Sequence, residues 1–140
     1  MEVNEAKIKK GGIVSCPRTL LCYDDIVSHK QFMRSKSFTH SFIASRHYNM
    51  SVFICTQKYK QVPKVCREQA TAIFFYAASN AERETLAIDH APANYSTRET
   101  EALIDEATRG DYSYLFINRQ APKAEQYRKR NHEIMRLRRG

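Results

Sequence analysis

The sequence predicts an α/β fold with a largely parallel sheet, on three observations. Short apolar runs recur along its 140 residues, and the one at 52–55 (Val, Phe, Ile, Cys) has no polar alternation, as expected of a strand covered on both faces. Stretches of helical spacing lie between the runs, two of them opened by capping-box signatures. Strands separated by helices in this way form layered α/β sheets.

In chain order, the polar "MEVNEAKIKKGG" (1–12) is a flexible lead-in. "TLLCYDD" (19–25) is the first strand. A helix is expected over 28–48, with Phe32, Phe38 and Phe42 loosely sharing a face beside Ile43. "MSVFICTQ" (50–57) is the second strand, and Pro63 suits the first position of a short helix over 63–70. "TAIFFYA" (71–77) is the third strand. Ser79 with Glu82 opens a helix to about residue 91. Ser96 with Glu99 opens another, with Leu103, Ile104 and Ala107 on one face and Gly110 as its stop. "YSYLFIN" (112–118) is the fourth strand, and residues 123–139 are expected to be helical. No internal repeat is present.

Composition narrows the function classes. A hydrophobic content of 42% with 11% aromatics excludes disorder as the default and provides for a core. No apolar run approaches the ~20 residues of a membrane span, and no signal segment opens the sequence, so a soluble intracellular protein with no membrane role is expected. Cysteines at 16, 22, 55 and 66 form no C-x-x-C, and Cys22 and Cys55 lie in apolar runs. Reduced core thiols are therefore expected, not a zinc site or disulfide framework. The five histidines show no ligand-like pairing.

The net charge of +8 is uneven: from Arg119 onward there are eight Lys or Arg against two Glu, while residues 1–118 hold fifteen basic and thirteen acidic residues. The body reads as nearly balanced and the tail as basic, which suits a polyanion.

The chemistry centres on Asp24 and Asp25. Two adjacent carboxylates repel one another, and a strand can end without either. They form a plain Asx turn, or they face a cation such as magnesium with its nucleotide. In P-loop ATPases an apolar strand delivers two acids in succession, one holding magnesium and the next orienting the attacking water. Thr56 and Gln57 end the next strand, where they either cap the terminus or contact a γ-phosphate. Arg46, near a helix end, is a dipole-compensating cation or an arginine finger.

The stretch 20–67 resembles the genome-packaging ATPases of poxviruses and other large DNA viruses, in the FtsK–HerA division of P-loop ATPases. "DDI", "F…RHYN", "TQ" and "VPK" come in that family's order, and the resemblance extends over about 19–120. It implies a RecA-like three-layer sandwich with a mainly parallel sheet, and ATP with Mg2+ at the site. Asp24 would be the magnesium-side acid and Asp25 the water-activating acid. Gln57 with Thr56 would be the sensor, and Arg46 the candidate finger.

The family's G-x-x-x-x-G-K-[ST] loop and its strand are absent from these residues. The four glycines are at 11, 12, 110 and 140, and none precedes a Lys-Ser or Lys-Thr. Residues 13–120 therefore look like the carboxyl-terminal half of the ATPase domain, with the P-loop strand missing. Removing that strand is expected to leave a gap or an exposed edge that recruits another chain.

In the tail, 121–140, Arg128, Lys129, Arg130, Arg136, Arg138 and Arg139 either neutralise DNA phosphates or line a solvated helix. The expected function is a subunit, or half-subunit, that couples ATP hydrolysis to moving double-stranded DNA into a capsid. Its expected partners are DNA, capsid proteins, and a homo-oligomeric ring or a chain supplying the P-loop half. Its expected location is the host cytoplasm at assembly sites, or the virion. The alternative is a non-catalytic DNA-binding or regulatory module derived from that ATPase.

Overall fold

The computed structural model describes residues 2–11, 17–92, 94–130 and 132–135. The chain divides into two compact units, Met1–Gln69 and Ala70–Gly140. Unit 1 opens with helix α1 (Glu2–Gly11), where the sequence predicts a flexible lead-in. Strands β1 (Thr19–Asp24) and β2 (Met50–Cys55) pair in parallel, in register from Thr19 opposite Met50 to Asp24 opposite Cys55. A 3-10 turn (Ile26–Ser28), helices α2 (Lys30–Met33) and α3 (Lys36–Ala44), and a second 3-10 turn (Ser45–Tyr48) connect them.

The single helix expected over 28–48 is thus two. Ser35 interrupts it because its hydroxyl accepts the Phe38 N–H at 3.1 Å, a cap that starts a new helix. The break resolves the loose face of the sequence pattern. Phe32 comes from one helix and Phe38 and Phe42 from the next, and all three rings stand against Tyr23 of β1 at 5.8, 5.2 and 6.4 Å. With α4 (Lys64–Gln69) they enclose a core of Val27, Met33, Phe38, Val62 and Cys66.

Burial in that core pushes the Cys66 thiol up from 9.0 to about 11. The folded state disfavours the thiolate, so the associated stability is complete below pH 9.0 and is lost as pH rises towards about 11. Denaturant melts across this window are expected to show a falling stability that Cys66→Ala reduces in slope. Equal slopes in the two proteins would assign the alkaline loss to other groups.

Unit 2 holds β3 (Ala72–Tyr76), α5 (Asn80–His90), α6 (Thr97–Thr108), β4 (Tyr114–Asn118), β5 (Tyr127–Lys129) and β6 (Glu133–Ile134). Its sheet runs β3-β4-β5-β6 and every pairing is antiparallel. The mainly parallel sheet is therefore corrected to one parallel pair and a four-stranded antiparallel sheet. The reason lies in the connections. The β1–β2 connection has one long helix, α3, besides the single turn of α2, and its one net return leaves β2 parallel to β1. The two consecutive helices α5 and α6 reverse the chain twice, so β4 runs against β3. The tail, expected as a helix, instead forms the β5–β6 hairpin, with Arg130 at φ 51 in its turn.

The core of unit 2 joins Ile73, Phe75, Leu115, Ile117 and Tyr127 of the sheet to Leu86, Ala87, Leu103, Ile104 and Ala107 of the helices. The α6 face is the one the sequence predicts. Its capping box forms: Ser96 Oγ accepts the Glu99 N–H at 3.2 Å, and Glu99 accepts the Ser96 N–H at 2.7 Å. Ser79 caps α5 by position, without a side-chain hydrogen bond. Ser96→Ala is expected to cost about 1 kcal/mol in thermal or denaturant melts, and Ser79→Ala clearly less. Equal losses would contradict this distinction.

Sheet residues alternate between covered and open faces, unlike the two-face burial predicted for 52–55. Leu20 (66% exposed) and Phe53 (46%) share the open face of β1–β2. Cys22 and Cys55 are exposed there as well, correcting their assignment to the core. Phe74 (45%) and Tyr76 (54%) lie on the open face of β3–β4, with Phe74 stacked 4.7 Å from Phe116. Among the described residues no helix is long and apolar enough to cross a membrane.

Candidate functional site

Because β1 and β2 are parallel, their carboxyl ends lie together, and Asp24, Asp25, Thr56 and Gln57 all come to that end. Sheets of this kind expose their ligand-binding groups there. The Asp25 N–H donates to the Cys55 carbonyl at 3.1 Å, extending the ladder one residue past β1 and fixing the acid pair against the start of the Thr56–Gln57 turn.

Asp25 has φ 44 and ψ 37, the left-handed conformation, which asparagine and aspartate adopt most readily among residues with a side chain. The residue turns the chain sharply from strand to 3-10 turn, and Ser28 Oγ donates to its carbonyl at 3.5 Å. Asp24 ends the strand on its exposed face. Both carboxylates are exposed, and among the described residues neither has an ion-pair partner. The adjacent Cys55 thiol is pushed up, by desolvation first and then by the Asp24 carboxylate and Cys22.

The Thr56 hydroxyl accepts the Lys58 N–H at 3.0 Å, the capping interaction that strand ends commonly show, which leaves its own O–H to donate elsewhere. Gln57 follows, exposed. Two carboxylates and a hydroxyl form an all-oxygen set. That chemistry suits Mg2+, which binds through one or two carboxylates and completes its sphere with water and substrate phosphates. Among the described residues no cluster of three or more His, Cys, Asp or Glu could hold a metal by protein ligands alone.

Arg46 is not brought to this set. It lies in the 3-10 turn before β2, and the six residues of that strand separate it from Thr56, about 20 Å at strand rise. It directly follows α3, where a cation complements the helix carboxyl end.

The tail cations of the described residues are tied into unit 2. Arg128 is ion-paired with Glu125 at 3.0 Å, and Lys129 approaches Glu106 at 4.0 Å. Arg130 donates to the Asp111 carbonyl at 2.9 Å and to Ser113 Oγ at 3.2 Å. Arg136, Arg138 and Arg139 lie outside the described residues.

A family model described as Poxvirus A32 protein matches residues 2–106. Among solved structures, the chain is similar to B204, the DNA-packaging ATPase from Sulfolobus Turreted Icosahedral Virus, with 18% identity and a TM-score of 0.57. The similarity covers 86% of this chain and 58% of that one, so the chain spans little more than half the length of that structure. No curated protein matches the sequence.

Proposed function

Because the chain belongs to the family described as Poxvirus A32 protein, we propose that it is the carboxyl-terminal part of a viral DNA-packaging ATPase. The observation that carries the proposal is the convergence of Asp24, Asp25, Thr56 and Gln57 at one end of a parallel strand pair. In this reading Asp24 faces the magnesium that accompanies ATP. Asp25, held at the turn, orients the attacking water and accepts its proton. Gln57 and the Thr56 hydroxyl contact the terminal phosphate and report its presence. When bound, the cation offsets the charge of the phosphates and of the paired acids.

The phosphate-binding loop is supplied from outside these residues, on the same polypeptide or on a partner chain. The open apolar face and the free edge of a two-stranded sheet support that completion, since such edges recruit further strands. An arginine-finger role for Arg46 requires a neighbouring subunit in a ring, because its own acids lie at the far end of β2. The cargo is double-stranded DNA and the partners are capsid proteins, at assembly sites in the host cytoplasm or in the virion.

The test is magnesium-dependent ATP hydrolysis by this chain mixed with a P-loop-bearing segment of a packaging ATPase, with and without double-stranded DNA. Hydrolysis that requires both components and rises with DNA supports the proposal. DNA binding without hydrolysis in any mixture would instead support a non-catalytic module.

A further inference from the structure

We propose that the amino end of the β1–β2 sheet contacts the phosphate backbone of double-stranded DNA, through Arg18, Arg46 and the last turn of α1 with Lys9 and Lys10. The proposal takes its partner from the packaging reading, but it is independent of the nucleotide site.

Charge along the chain is the first observation. Residues 1–69 hold twelve Lys or Arg and five Asp or Glu, a net +7; residues 70–118 hold three and eight, a net −5. The near balance of residues 1–118 is therefore a cancellation between two unlike parts. Between Asp25 and Glu68 there is no acid at all, while residues 26–67 carry eight Lys or Arg and three His.

The second observation is that the parallel pair sorts charge along its length. Asp24 and Asp25 are at the carboxyl end. Arg18 precedes the first residue of β1, and Arg46 and His47 sit in the turn that leads into β2. The Thr19 N–H donates to the Asn49 carbonyl at 3.1 Å, so the two strands start side by side and bring these segments together. Helix α1 packs against the same 3-10 turn, and its last turn carries Lys9 and Lys10.

Lys9, Lys10, Arg18, Arg46 and His47 are all exposed, and among the described residues Arg18 and Arg46 have no ion-pair partner. Of the other acids of residues 1–69, Glu68 is engaged by Lys64 at 3.7 Å, and Glu2 and Glu5 stand in the first half of α1, ahead of its basic last turn. The acid pair is about 20 Å away along the strands, beyond the ~8–10 Å screening length, and does not neutralise this end. The dipole of α3 accounts for a cation at Arg46, but not for Arg18 at the start of a strand. Lysine is depleted in protein–protein interfaces, so a lysine-containing cluster in which Arg18 and Arg46 have no ion-pair partner among the described residues fits phosphate better than a protein surface. Such contacts give affinity without sequence preference.

The test measures binding of labelled duplexes by the full chain without nucleotide, over a salt series. Arg18→Ala/Arg46→Ala is expected to lower the slope of log affinity against log salt by about two, one per phosphate contact, equally on unrelated sequences. Arg18→Lys/Arg46→Lys keeps the slope near wild type, and circular dichroism checks that each variant folds. Asp25→Asn, which addresses the nucleotide site, also keeps the wild-type slope, so failure of the ATPase reading is distinguishable from failure of this one. An unchanged slope in the double Ala variant overturns the proposal, as does the same loss in Lys36→Ala on α3. Binding to anionic phospholipid vesicles with no duplex binding would overturn it in favour of a membrane. For Arg46→Ala alone, lost hydrolysis with an unchanged salt slope would contradict its DNA contact and identify a finger.

Discussion

Replacing Asp25 by Asn is expected to lower ATP hydrolysis by the complemented enzyme about 10²–10⁴-fold, the usual contribution of a positioned general base. The substitution is unusually clean at this position. Residue 25 sits at φ 44, a conformation that asparagine adopts at least as readily as aspartate. The N–H bond to the Cys55 carbonyl belongs to the backbone and survives the change. Stability is therefore expected to stay within about 0.5 kcal/mol, as for surface substitutions away from special features. Asp25→Ala would confuse the result, because it adds left-handed backbone strain to the loss of the carboxylate. A rate retained within a few-fold by Asp25→Asn would show that residue 25 is the ordinary turn the sequence also allows.

Phe38→Ala is expected to be the most damaging single change in unit 1, costing about 3–5 kcal/mol. Phe38 is fully buried, and its ring lies 5.2 Å from both Tyr23 and Phe42 and 5.5 Å from Phe32. Phe38 and Tyr23 each meet the three other rings of the cluster, and of these two Phe38 is the fully buried one, so its truncation opens a cavity between β1 and both helices. Phe32→Ala, at a position 41% exposed, is expected to cost far less. Unfolding midpoints of the two variants check the difference, and similar losses would contradict the central place given to Phe38. With a domain stability of only about 5–15 kcal/mol, the Phe38→Ala loss alone would populate unfolded unit 1.

The strands and the α6 face were legible in the sequence because each is a local signal. The apolar run, the Ser96–Glu99 box and the 103–104–107 face depend on residues within one element. Strand direction is not local, and the expected parallel sheet failed for that reason. The decisive information was nevertheless present: two capped helices between the third and fourth strands imply an even number of reversals. The tail misled differently. Its Arg and Lys residues suit a helix, but Tyr127 is buried with its hydroxyl donating to the His90 carbonyl at 2.8 Å, a long-range contact that anchors a strand.

The acid pair and the Thr56–Gln57 turn were visible as strand ends, and the parallel register brings them together. That Arg46 lies at the opposite end follows from the same register, since a residue before a strand cannot meet residues after it. The basic balance of residues 1–69 is not visible in the total for residues 1–118, because the −5 of residues 70–118 offsets most of its +7.

The most direct measurement replaces magnesium by Mn2+ in the complemented, ATP-bound enzyme and maps paramagnetic broadening of this chain's backbone amide signals. The account predicts the strongest broadening at Asp24, Asp25, Thr56 and Gln57, fading along β1 and β2 towards Arg18 and Arg46. Broadening centred elsewhere, or none that depends on ATP, would contradict the assignment of the nucleotide site to the carboxyl end of these two strands.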